Sequence, residues 1–152
     1  MGLLLIEQAF NGLQFGVMLF LIAAGLTLVF GIMDLVNLSH GSLVMVGAYL
    51  ATTLIEWTGS FILGILLALP STFLVGVVVE IVVLRTLYER DHLDQVLATF
   101  GLILFFNELI RIVWGPASLY SGLPESISGH VEILPGVPYP AFRLLIILVG
   151  LL

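Results

Sequence analysis

The sequence predicts an all-α protein, a polytopic transmembrane helix bundle with about four complete spans and a shortened fifth. Three observations lead to this fold class. The chain is 61% hydrophobic and 9% charged, with a mean hydropathy of +1.25, whereas soluble domains are about 45–50% apolar and about 25% charged. Several uncharged runs reach the ~20 residues that span a hydrocarbon core. Most charged residues lie between these runs, so we expect residues 1–152 to form a single transmembrane domain.

Charge and residue types argue against several functions. The net charge is −6, with four arginines and no lysine, which disfavours a nucleic-acid partner because phosphate recognition needs clustered cations. The absence of cysteine excludes disulfides and thiolate metal ligands. The three histidines have no partners at metal-ligand spacing, so we expect no metal site.

The first apolar run covers residues 8–33. The residues before it lack the cationic start of a signal peptide, so we interpret them as the entry to a retained span. Gly12 and Gly16 form a G-x-x-x-G pair, and Ala23 and Thr27 lie near one helical face. Small residues on one face let two helices approach closely in lipid. The alternative is a lipid-facing helix in which glycine is merely tolerated.

Four further apolar runs follow, at residues 35–55, 61–84, 96–113 and 142–152. Pro70 falls inside the third run and is expected to kink or end that helix. In the fourth, Glu108 and Arg111 are three residues apart and are expected to pair on one helix face. The fifth run has half the length of a span, so we expect the sequence to be incomplete at its C-terminus.

The segments between the runs suggest an orientation. Residues 85–95 are the densest charged stretch and hold two of the four arginines, which predicts a cytoplasmic loop and an N-terminus outside. Glu80 precedes this loop and is expected at the interface. Residues 115–140 are rich in glycine, proline and serine and predict an irregular loop. We place it in the periplasm as a docking surface; a surface linker is the alternative.

A polar block between the first two runs gives the candidate functional residues, Asp34, Asn37, Ser39, His40, Gly41 and Gly47. Unpaired polar groups are costly in an apolar environment, so such a cluster needs a reason. In one interpretation, a continuous helix from residue 34 carries a small, polar face. In another, the chain breaks at residues 34–39 and a half-helix begins with Asn37 or Ser39 as N-cap.

Three roles for this block remain open: capping and turn formation, lining of a translocation route, and direct contact with a substrate. In the last case the positive end of a half-helix would face a carboxylate, and Asp34 is the block's only acid for an ammonium group. His40 is interpreted as a hydrogen-bonded packing residue, with a proton relay as the alternative.

The block also resembles a known family, the LivH-type permease subunits of bacterial ABC importers for branched-chain amino acids. These proteins carry a similar G-x-x-D/N-x-x-N-x-x-x-G-x-x-x-x-x-G-A-Y pattern, which here runs from Gly31 to Tyr49. Residues 94–102 look like the family's D-x-L-x-x-L-x-A-T-x-G-L segment. Residues 131–140 match the family more loosely. Because family members are nearly twice as long, the chain resembles the N-terminal half of one.

The resemblance implies a non-catalytic transport subunit in a bacterial inner membrane. Its partners would be a second, LivM-type permease subunit, two cytoplasmic ATPase subunits and a periplasmic amino-acid-binding protein. ATP would bind only to the ATPases, and no cofactor is expected on this chain, which lacks G-x-x-x-x-G-K-[ST]. The alternatives are a related permease for urea, amides or other small polar solutes, and a small structural or assembly membrane protein.

Overall fold

The structure is a computed structural model that describes residues 2–117, 119, 128–134 and 137–151. Its helices and strands are, in chain order, α1 (Gly2–Met33), α2 (His40–Thr58), α3 (Phe61–Val82), a 3-10 turn (Leu84–Leu87), α4 (His92–Trp114), β1 (His130–Leu134), β2 (Val137–Pro140) and α5 (Ala141–Leu151). The chain divides into two compact units: residues 1–25 with 122–152, and residues 26–121.

The predicted all-α, multi-pass fold class is confirmed. In the part of the chain that the structure describes, three helices are long and apolar enough to cross a membrane: Leu4–Met33 within α1, α3, and α4. At 1.5 Å per residue, each of them covers the roughly 30 Å of a hydrocarbon core. Helix α2, which was also predicted to be a span, has 19 residues but is not among these three, because it carries His40 and Glu56 and several small polar residues.

Helices α2 and α3 form a tight hairpin. Gly59 ends α2 in the left-handed conformation, with φ of 64°, and its N–H bonds the Ile55 carbonyl at 2.9 Å, an arrangement that favours glycine. Ser60 then caps α3 by accepting from the Leu63 N–H. Just inside α3, Gly64 lies directly against the backbone of Ile55. A small residue is therefore required at this crossing.

Proline does not end the third helix. Pro70 lies inside α3, which continues to Val82. Nearby, the Ser71 hydroxyl bonds the Leu67 carbonyl at 2.7 Å, one residue after the Leu66 carbonyl that loses its helical donor at Pro70. Of the two outcomes predicted for Pro70, termination of the helix is thus wrong.

The core of the second unit lies where α2, α3 and α4 meet. Its buried residues are Leu35, Val46, Val79, Leu84, Leu87, Phe106 and Ile110. Farther along α4, Trp114 packs against Tyr49, with ring centroids 5.4 Å apart, and donates from Nε1 to the Thr53 hydroxyl at 2.7 Å. The predicted Glu108–Arg111 contact is present at 3.8 Å, with both side chains exposed.

The first unit corrects the prediction of an irregular segment at residues 115–140. Strands β1 and β2 pair antiparallel, with His130 opposite Pro140 and Val131 opposite Tyr139. Residues 118, 120–127 and 135–136 lie outside the described part of the chain. The Tyr139 side chain is fully buried and donates to Asn11 Oδ1 at 3.2 Å. The sequence did not predict this strand pair because several prolines lie in and next to it, and proline within a run argues against a strand.

Candidate functional site: the break between α1 and α2

The polar block forms a break in the helical chain at residues 34–39, called the break below. Helix α1 ends at Met33, and Asp34 adopts a left-handed conformation with φ of 50° while its N–H still bonds the Phe30 carbonyl at 2.8 Å. A left-handed residue is common at a helix C-terminus, and aspartate tolerates it better than most side chains. The interpretation with a break is therefore correct, and the continuous helix from residue 34 is wrong.

Asn37 and Ser39 shape the turn. The Asn37 Oδ1 accepts from the Ser39 N–H at 3.0 Å and from the Ser39 hydroxyl at 2.7 Å, and both residues are buried. This is an asparagine-stabilised turn, in which the side chain substitutes for a backbone carbonyl. Ser39 occupies the N-cap position of α2, but its side chain makes no capping hydrogen bond. Turn formation explains both residues.

Two side chains of α4 also form hydrogen bonds with the backbone of the break. Gln95 Oε1 accepts from the Val36 N–H at 2.9 Å, and the Thr99 hydroxyl accepts from the Leu38 N–H at 3.2 Å. Gln95 and Thr99 are four residues apart, so they lie on the same face of α4. They replace the helical partners that the unwound backbone has lost, since a buried N–H without a partner is costly.

Gln95 and Thr99 were missed as functional candidates. Both lie in the segment 94–102, which was singled out for its family resemblance, and both are almost fully buried. The signal that identifies them is a pair of polar residues at i and i+4 on an otherwise apolar helix. Such a pair must find partners inside the protein.

The break lies at one end of the second unit. Gln95 and Thr99 belong to the first two turns of α4, which starts at His92. The amide nitrogen of Gln95 also donates to the carbonyls of Leu87 and Arg90, at 3.2 and 3.1 Å. These carbonyls belong to residues 83–91, called the α3–α4 loop below. The break and the densest charged stretch therefore share one end of this unit, rather than the break lying at the middle of the spans.

The α3–α4 loop is fixed by an ion pair. Arg85 bonds both carboxylate oxygens of Glu80, at 3.0 and 3.1 Å, and the Tyr88 hydroxyl donates to Glu80 Oε1 at 3.1 Å. The hydrogen bond to Glu80 raises the pKa of the Arg85 guanidinium above its ordinary value. Burial, and then the same carboxylate, raises the pKa of the Tyr88 hydroxyl. Both groups therefore keep their protons at neutral pH.

An open cavity of about 290 Å³ adjoins the break. Its lining consists of Asp34, Tyr88, Glu89, Arg90, Asp91, His92 and Gln95. Three carboxylates and two basic side chains thus surround a polar space between the break and the α3–α4 loop. Among the described residues, no group of His, Asp or Glu side chains has the arrangement of a metal site.

The structure separates the predicted site residues. Asp34 lines the cavity, Asn37 and Ser39 are buried in the turn, and His40 begins α2 half-buried. Gly41 is exposed one position later. Gly47 lies farther along α2, where an added Cβ would come within 3.1 Å of Thr72 Cγ2 on α3. Helix packing is therefore the direct role of Gly47 in this structure.

The two glycines of the predicted packing face of α1 have no close neighbour on another helix among the described residues. An added Cβ at Gly12 or Gly16 would meet no atom within 4 Å, and both glycines line an apolar groove of about 420 Å³. Ala23 and Thr27 are exposed. The close contact in the first unit is instead Gly150 of α5 against Val17. A packing role for Gly12, Gly16, Ala23 and Thr27 stays a prediction.

The long apolar helices, and a polar break whose backbone is hydrogen-bonded by side chains of α4, define the class of protein. The chain is a multi-pass helical membrane protein. Comparison with known sequences specifies it further. The sequence model of the family described as the permease component of branched-chain amino acid transport systems matches residues 8–152. The chain belongs to this family, so the resemblance noted from the sequence is confirmed.

Individual relatives are moderately similar. The chain is 31% identical over 116 residues to the high-affinity branched-chain amino acid transport system permease protein BraD of Pseudomonas aeruginosa, covering 70% of this chain and 38% of that one. It is 27% identical over 141 residues to the permease protein LivH of Escherichia coli K12, covering 84% and 45%. The chain thus spans less than half the length of these relatives. No solved structure gave a significant match.

Proposed function

We propose that this chain is a membrane-spanning, non-catalytic permease subunit of an ATP-driven importer for branched-chain amino acids, in the inner membrane of a bacterium. It would form part of the translocation pathway with a second permease subunit of the LivM type. Two cytoplasmic ATPase subunits would hydrolyse ATP, and a periplasmic amino-acid-binding protein would deliver leucine, isoleucine or valine. The observation that carries the proposal is the family match over residues 8–152.

Within this function, the break is the proposed pathway segment. It combines buried polar groups with an adjacent polar cavity, and polar groups buried between membrane helices commonly mark the route of a substrate. Asp34 lines that cavity and offers a carboxylate to a substrate ammonium. Asn37 and Ser39 directly precede α2, and His40 and Gly41 begin it; the positive end of this helix favours a carboxylate. Gly47 supports this arrangement through its contact with α3.

Replacement of Asn37 by leucine tests the role of the break. The substitution removes the acceptor for both Ser39 hydrogen bonds and places an apolar side chain in the turn. We expect uptake of radiolabelled leucine by the full-length permease, co-expressed with its partners, to fall at least about tenfold. A tenfold loss corresponds to about 1.4 kcal/mol. The amount of permease in the membrane should not change.

Asn107→Leu is the matched control, because Asn107 is an exposed asparagine on α4 away from the break. It should leave uptake at the parental level. Unchanged uptake in Asn37→Leu would remove Asn37 from the pathway. Competition by valine and isoleucine but not by urea or acetamide supports the amino-acid assignment. Competition by urea or acetamide but not by valine and isoleucine would favour a permease for small amides.

A further inference from the structure

One buried side chain joins the break to the α3–α4 loop. Gln95 is 2% exposed. Its oxygen accepts from the Val36 N–H, and its nitrogen donates to the Leu87 and Arg90 carbonyls. Because a carboxamide is planar and rigid, its oxygen and nitrogen cannot move independently. A displacement of the loop carbonyls that keeps these hydrogen bonds must therefore move the whole amide and disturb its hydrogen bond to the Val36 N–H.

The α3–α4 loop, at one end of this connection, is accessible to an interaction partner. Arg85, which holds the α3–α4 loop to Glu80, has a side chain that is 61% exposed. An interaction that pulls Arg85 from Glu80 would release the 3-10 turn that begins at Leu84. Leu87, the last residue of that turn, supplies one of the two carbonyls that Gln95 binds.

Thr99 supports the break without contacting the loop. Its hydroxyl accepts from the Leu38 N–H, and its other hydrogen bonds go to the Val36 carbonyl and to its own helix. The two polar residues of α4 therefore stabilise the same segment, but only Gln95 reaches the α3–α4 loop. This difference distinguishes coupling from simple stabilisation.

We propose that Gln95 is a positioning residue that couples the α3–α4 loop to the break, so that displacement of the loop changes the exposure of the break. The coupling does not depend on transport. Its use in an importer rests on the proposed function, where a movement of the loop would alter the pathway segment.

The test uses the absence of natural cysteine in this sequence. Leu38→Cys places a single thiol on the exposed side chain of the break, 44% exposed in the parent. The rate of its reaction with a charged maleimide is measured in membranes, without substrate or ATP. Arg85→Glu displaces the loop because two carboxylates then face each other at residues 80 and 85. We expect Arg85→Glu to change the labelling rate at least about threefold, which is roughly 0.7 kcal/mol.

The decisive comparison is a double-mutant cycle. Gln95→Met removes all four hydrogen bonds of the amide, including the 3.3 Å contact of its oxygen with His92 Nδ1, while keeping a similar length. Thr99→Val removes the hydroxyl without changing the shape. Both should speed labelling of the cysteine. Arg85→Glu should have no additional effect in the Gln95→Met protein but its full effect in the Thr99→Val protein.

Two results would overturn the proposal: no response of the cysteine to Arg85→Glu in the parent, or an equal response in the Gln95→Met and Thr99→Val proteins. If Gln95→Met fails to accumulate, Gln95→Asn serves, since its shorter amide cannot reach both segments. Leucine uptake measured in parallel reports on the proposed function alone. Loss of coupling with uptake intact, and coupling without any amino-acid uptake, are therefore distinguishable outcomes.

Discussion

Replacing Gly64 by alanine tests how closely α2 and α3 pack. A Cβ built on Gly64 would lie 2.6 Å from the Cα of Ile55 and 2.7 Å from its nitrogen. Non-bonded carbon atoms prefer about 3.5–4.0 Å, so the helices must separate locally by roughly 1 Å. The Ile55 side-chain atom Cγ1 also lies against this position, but because the Cα and nitrogen are backbone atoms, rotation of the Ile55 side chain alone cannot relieve the contact.

The expected cost follows from two opposing effects. Overpacking a close contact costs about 1–3 kcal/mol, and the upper end applies because the backbone must move. Alanine recovers about 0.5–1 kcal/mol relative to glycine inside a helix. We therefore expect Gly64→Ala to lower the free energy of unfolding by about 2 kcal/mol, which changes the folding equilibrium roughly 30-fold.

Two other glycines provide a graded control. At Gly76, on the same helix, an added Cβ meets nothing within 4 Å, so alanine there should be neutral or slightly stabilising. At Gly47 the added Cβ meets the Thr72 side chain at 3.1 Å, and a small shift of that side chain should keep the change near zero. Unfolding of the purified protein is measured by titrating a denaturing detergent into mild micelles. Equal stabilities for Gly64→Ala and Gly76→Ala would refute the reasoning.

Two further substitutions probe other hydrogen bonds in the same unfolding assay. Trp114→Phe keeps an aromatic ring but loses the 2.7 Å bond to Thr53, and should lower stability by about 1 kcal/mol; a change near zero would contradict this role. Asn11→Leu removes the acceptor that Tyr139 and Arg143 share. It leaves the buried Tyr139 hydroxyl unpaired, which costs about 1–3 kcal/mol, and should destabilise more than Tyr139→Phe; the opposite order would contradict the contact.

Much of the fold was readable from the sequence, because apolar runs of span length have few alternative structures. The bounds of α3 and α4 lie within a few residues of the runs 61–84 and 96–113. The choice between a continuous helix and a break at residues 34–39 could not be made from residue types alone. Asp, Asn and Ser serve both as helix caps and as polar helix residues. The outcome depended on partners about 60 residues away, Gln95 and Thr99.

The pairing of β1 with β2 and the packing role of Gly64 could not be predicted from the sequence, for a different reason. Both depend on what the chain meets after folding. The G-x-x-x-G pair at Gly12 and Gly16 fits the small-residue packing pattern, yet neither residue has a close neighbour among the described residues. Gly64, which belongs to no such pair with a glycine, lies against backbone. Spacing of small residues indicates that close approach is possible, whereas the contact itself is a property of the partner helix.

The hydrogen bonds of the break also limit how a substrate would use it. In this structure Asn37 Oδ1 is engaged by Ser39, and the Val36 and Leu38 N–H groups are engaged by α4. A solute could bind these groups only by exchanging one hydrogen bond for another, and such an exchange contributes little net free energy. The Asp34 carboxylate, which faces an open cavity, needs no such exchange. Asn37 is therefore expected to affect transport through the shape of the turn and Asp34 through charge. Asn37→Asp should then be tolerated better than Asn37→Leu, while Asp34→Asn should impair uptake although it preserves the size of the side chain.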